Sequence, residues 1–142
     1  MLPSVEQNFA RLESLSQRLN ASSDSLTESI ERIEKKLASL RLGVSAFDDH
    51  PLYTRKCTST EGEYTYHYNL AYTKGDSGWG LVIWGCDTDN SVREEIPLLQ
   101  APREQRIMAM HRLPALLEEL EGKAAEALEE VRKALGVAET IS

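Results

Sequence analysis

Apolar residues recur every seven positions along the N-terminal part of the chain, at Val5, Leu12, Leu19, Leu26, Ile33 and Leu40. A second row stands four residues on from each, at Phe9, Ser16, Ser23, Ile30, Leu37 and Val44. These are the d and a rows of a heptad, and they predict one long helix from about residue 4 to 42, a stretch without Gly or Pro. The d row is complete; the a row is interrupted by Ser16 and Ser23. The soft point is Asn20-Ala21-Ser22-Ser23-Asp24, followed by Ser25-Leu26-Thr27-Glu28, which has the form of a capping box. A hairpin of two helices is the competing arrangement. Leu19 and Leu26 stay seven apart across the gap, and a loop has no reason to keep that register, so a continuous helix is expected.

The period changes to two after Gly43. Leu52–Thr58 predicts a short strand, after the turn-forming run Asp48-Asp49-His50-Pro51. From Glu63 to Thr73, Tyr64, Tyr66, Tyr68, Leu70 and Tyr72 alternate with Thr65, His67, Asn69, Ala71 and Thr73, the clearest strand in the chain. Lys74-Gly75-Asp76-Ser77-Gly78 predicts a hairpin loop. Trp79–Cys86 predicts a strand whose unbroken Leu81–Trp84 core calls for cover on both faces. A turn at Asp87–Asn90 and an edge strand at Ser91–Ile96, stopped by Pro97, complete a four-stranded antiparallel meander.

Helical spacing returns from residue 101. Leu113, Leu117, Leu120, Ala124, Ala127, Val131 and Ala134 hold a 3/4 stripe, with Leu128 and Leu135 beside it. Pro114 has no amide to donate, which predicts a kink or break near His111–Leu113. Gly136 is expected to end the helix and Val137–Ser142 to fray.

The fold class expected is therefore α+β: a long, coiled-coil-like N-terminal helix, a four-stranded meander, and a kinked C-terminal helix on the same sheet face. Residues 1–42 form an association arm in this division and residues 43–142 a small two-layer domain. A helix of about 38 residues is roughly 57 Å long. A compact 142-residue domain is only about 40 Å across. The helix thus outruns its own globule, and its apolar row calls for a partner helix.

Composition narrows the function. The net charge is -7, and it is uneven. Residues 1–42 are neutral, residues 43–100 carry -5 and residues 101–142 carry -2. An acidic body gains no counterion release on nucleic acid and no attraction to anionic lipid, so neither direct nucleic-acid binding nor a membrane role is expected. No signal peptide or membrane-spanning run is visible, and the two cysteines, Cys57 and Cys86, form no disulfide framework or metal motif. A cytoplasmic protein with free thiols is the expectation.

Candidate chemistry is sparse. His50, His67 and His111 fall in different elements, and no metal-ligand spacing, cofactor fingerprint or catalytic motif is present, so no metal or cofactor is expected. Asp87-Thr88-Asp89-Asn90-Ser91 opens like a calcium loop but has Val92 and Leu98 where such a loop needs Gly and Glu. His67 opposite Cys57 or Cys86 on a neighbouring strand would be a nucleophile pair by geometry alone.

The heptad is the strongest signal. It points to a non-enzymatic interaction protein, an adaptor or chaperone-like molecule, that forms a homodimer or binds a protein partner through Val5, Phe9, Leu12, Leu19, Leu26, Ile30 and Ile33. The alternative is a small-ligand or catalytic domain using Tyr64, Tyr66, Tyr68, Tyr72 and His67, since a tyrosine row can stack on a planar ligand. A third reading, from net charge alone, is an acidic inhibitor that mimics nucleic acid.

Overall fold

The computed structural model describes residues 4–60, 62–87 and 93–141. Its elements are α1 (Val5–Leu40), β1 (Ala46–Phe47), β2 (Tyr53–Ser59), β3 (Gly62–Gly75), β4 (Gly78–Asp87), β5 (Arg93–Pro97), a 3-10 turn (Leu98–Gln100) and α2 (Arg103–Ile141). The architecture is α+β, with both helices on one face of an antiparallel sheet. Residues 88–92 of the expected second turn and edge strand lie outside the described residues.

α1 is a single helix through residues 20–25. Its N-cap is Ser4, whose hydroxyl accepts from the Gln7 amide while the Gln7 side chain accepts from the Ser4 amide. The Ser25–Glu28 pattern is therefore not used to start a helix. Arg41, in the left-handed region at φ 50°, ends α1 with its amide bonded to the Ala38 carbonyl at 3.2 Å.

The sheet holds five strands rather than four, because the first position is split. β3 pairs with β4 along one edge and with both β1 and β2 along the other. Ala46 and Phe47 face Tyr72 and Ala71, whereas Tyr53–Ser59 face Tyr68–Gly62. The Asp48–Pro51 turn interrupts what the sequence presents as loop followed by strand. The Asp48 amide still reaches the Leu70 carbonyl at 2.9 Å, and the Leu52 amide reaches the Tyr68 carbonyl at 2.7 Å. β1 is too short to leave a period-two signal.

The pleat sorts β3 into two faces. Tyr68, Leu70 and Tyr72 turn towards the helices and join Leu81 and Ile83 of β4, Leu98, Ile30 and Leu37 of α1, and Ala109, Leu113, Leu116 and Leu120 of α2 in the core. Val82, on the other face, is also buried, so the Leu81–Ile83 run is covered on both sides. A Cβ on Gly75 would stand 2.5 Å from a Glu95 carboxylate oxygen, although Glu95 pairs with Trp84 well up the strand. The hairpin end of β3 thus lies beside the exposed Glu95 side chain.

α2 runs through Pro114 as one helix, so of the expected kink or break the break does not occur, and the helix continues past Gly136 to Ile141 where a stop and a frayed tail were expected. A proline costs one internal hydrogen bond. The packing of Ala109, Leu113, Leu116 and Leu120 on the sheet spans both sides of Pro114 and holds the two halves in one helix.

Candidate interaction site

Contacts along the two helices fix their direction. Arg106 at the start of α2 donates to the Thr27 hydroxyl at 2.7 Å, and Gln105 hydrogen-bonds Tyr53, the cross-strand neighbour of Tyr68. Further on, Arg112 reaches Asp48, beside Leu70. On α1, Glu34 accepts from the Leu81 amide, and residues 38–42 lie against Tyr72 and Trp79. Both helices thus run in the same sense as β3. The N-terminal half of α1 leaves the sheet at the Tyr68 end, and the C-terminal half of α2 leaves at the hairpin end.

The α1 arm, residues 5–25, is exposed almost throughout. Val5 is 69% exposed, Phe9 61%, Leu12 56%, Leu15 55% and Leu19 49%, so the described residues leave these side chains largely uncovered. Ser16 leaves a shallow groove between Phe9, Leu12, Glu13 and Gln17. The remaining residues of the predicted row are spent within the fold. Ile30 is fully buried in the core, and Leu26 and Ile33 pack against it. The heptad is one pattern along one helix, but it serves the chain's own sheet from Leu26 to Leu37 and faces solvent before it and again at Leu40.

The α2 arm, residues 121–141, is a second exposed apolar surface that sequence reasoning assigned to the sheet. Leu128 is 52% exposed, Val131 63%, Leu135 54% and Ile141 81%. The signal was available: a 39-residue helix is roughly 58 Å long and also outruns the domain. Lys123–Glu126 at 3.8 Å and Lys133–Glu130 at 3.7 Å are exposed pairs on this arm.

The tyrosine row is divided. Tyr68 and Tyr72 are buried beneath the helices, while Tyr64 and Tyr66 remain half-buried. Tyr53 stacks on Tyr68 at 4.4 Å between centroids, the Arg55 guanidinium lies over Tyr66 and Tyr68, and the Tyr68 hydroxyl donates to Glu94 at 2.9 Å. Burial and the Glu94 carboxylate push the Tyr68 phenol up to about 12. Burial likewise raises Tyr53 and Tyr72. A cavity of about 320 Å³ opens beside the hairpin between Glu34, Trp79 and Glu95, and none of the tyrosines lines it. Burial raises the Glu34 carboxyl there. His67 belongs to the face opposite the tyrosines, so the expected grouping of His67 with them is corrected by the pleat.

His67 does stand directly opposite Cys86. Cys57 pairs with Tyr64 instead and shares the tyrosine face. With β3 between their strands and their side chains on opposite faces, the two free cysteines cannot bridge one another. The Asp48-Asp49-His50 turn is occupied by Arg112, and no group of three or more metal-ligating side chains stands together among the described residues.

No family model, characterised protein or solved structure matches the chain. No helix among the described residues is long and apolar enough to cross a membrane.

Proposed function

We propose that this is a non-enzymatic, cytoplasmic interaction protein, adaptor-like or chaperone-like, that self-associates through its N-terminal helix and presents the sheet domain for a further contact. One observation carries the reading. Val5, Phe9, Leu12 and Leu19 form a continuous apolar row that the described residues leave about half or more exposed. Soluble monomers rarely keep such a row bare, because each large apolar side chain removed from water contributes roughly 1.5–3 kcal/mol. The sheet domain already has its own core without residues 5–25, so the row is not needed to fold the domain.

Light scattering tests the reading directly. The expected outcome is a dimeric mass for the intact chain and a monomeric mass for Leu12→Ser/Leu19→Ser with unchanged circular dichroism. A wild-type chain that stays monomeric at high micromolar concentration sinks self-association.

A further inference from the structure

Resting on the self-association just proposed, we infer that the partner is a second copy of this chain in which each α1 arm is covered by the other copy's α2 arm, and not by its α1 arm. Four features of the molecule lead there.

The first is direction. α1 and α2 run in the same sense and their arms leave from opposite ends of the sheet. Turning a second copy end over end about a two-fold axis places its α2 arm beside the first copy's α1 arm, antiparallel to it. The same operation places the first copy's α2 arm beside the second copy's α1 arm. The contact is self-complementary and closes at two chains.

The second is length. Residues 5–25 and 121–141 are equal stretches of helix, roughly 31 Å each. Neither arm would extend far beyond the other.

The third is area. Val5, Phe9, Leu12, Leu15 and Leu19 on one arm and Leu128, Val131 and Leu135 on the other each share one helix face and are each about half or more exposed, whereas Val137 and Ile141 lie on the far side of α2. At on the order of 100 Å² apiece the residues sharing a face offer roughly 800 Å² per chain, matching the about 800 Å² per partner of a stable interface. One arm paired with its own copy uses only part of that and leaves the other arm bare.

The fourth is the fit of the seams. The α2 stripe is small where the α1 stripe is large. In antiparallel register Phe9 falls opposite Ala134, Leu12 opposite Val131 and Leu19 opposite Ala124, with every a position meeting a d position.

The test separates this inference from the reading it rests on. Single variants Leu12→Lys and Val131→Lys are measured by light scattering, both being exposed sites that leave the domain core intact. The expected result is that each lowers dimer affinity at least tenfold. A dimer weakened by Leu12→Lys and untouched by Val131→Lys would overturn the reciprocal arrangement while leaving helix-mediated self-association standing; a monomeric wild type would overturn both. A photo-crosslinking side chain, Leu12→p-benzoylphenylalanine, in a mixture of isotope-labelled and unlabelled chains then locates the contact. Attachment between chains within residues 124–138 is expected, and attachment within residues 5–19 overturns the inference.

Discussion

Arg112 of α2 grips Asp48 by both carboxylate oxygens, Nε to Oδ2 at 2.7 Å and Nη2 to Oδ1 at 2.8 Å. Asp48 sits at the point where the sheet edge changes from β1 to β2, and it is buried. The bidentate pair ties the C-terminal helix to the one irregular stretch of the sheet, and it fixes which segment of α2 lies over the core. Removing the arginine leaves a buried carboxylate without its cation. Arg112→Ala is therefore expected to cost on the order of 2–3 kcal/mol, less than a fully buried pair would, because 32% of the arginine side chain still meets water. Urea unfolding at neutral pH checks this; a loss below about 0.5 kcal/mol would show the pair to be incidental.

The same pair sets an acid limb. The hydrogen bonds from Arg112 hold the Asp48 carboxyl below its ordinary value of 3.8. The folded chain then binds this proton less readily than the unfolded chain does. Its contribution is fully present above about pH 4 and is lost as pH falls through the folded value. Asp48→Asn should lower neutral-pH stability and flatten the stability curve below pH 4, measured by urea midpoints between pH 7 and pH 2. An acid limb identical to that of the wild type would refute the assignment.

Tyr68 lies across Gly85, its direct cross-strand neighbour, with ring carbons 2.7 and 2.9 Å from where a Cβ would stand. Any side chain at residue 85 must push the ring off its stack on Tyr53 and away from Glu94. Gly85→Ala is expected to destabilise by roughly 1–3 kcal/mol through this overpacking. Thermal unfolding gives the magnitude, and a neutral or stabilising substitution would contradict the geometry.

Alkaline pH reads the tyrosine face. Tyr68 moves from an ordinary phenol value of 10.0 to about 12. Its folded value is raised, so the stability it adds is present below about pH 10 and disappears as pH rises towards about 12. Absorbance titration should show Tyr53, Tyr68 and Tyr72 ionising late, with Tyr68 ionisation coinciding with loss of the fold. Five phenols titrating together near pH 10 in a folded protein would dismiss the buried face.

The heptad can be divided by mutation. Leu12→Ser/Leu19→Ser is expected to leave the thermal midpoint of the diluted, monomeric protein unchanged within about 1 °C, while Ile30→Ala costs roughly 2–5 kcal/mol through a core cavity. Equal effects from both would mean that the arm packs on its own domain in solution.

Periodicity alone determined the long N-terminal helix, the two central strands, the hairpin between them and the α+β class. Those features rest on local spacing, period seven or two, which survives in any tertiary context. The sequence was also enough to place Tyr68 and Tyr72 on one shared face of β3. It did not reveal β1, because two residues carry no period, and it left kink or break open at Pro114, because the compensating contacts come from a sheet far away in the chain. Nor did it say where one heptad changes duty. Val5 and Ile33 look alike in the pattern, and only the position of the sheet, beginning at the level of Leu26, makes one exposed and the other part of the fold. The α2 arm was likewise decided by tertiary structure. Its stripe reads as a buried helix face, and it is bare because the sheet beneath it ends near Leu120 while the helix continues.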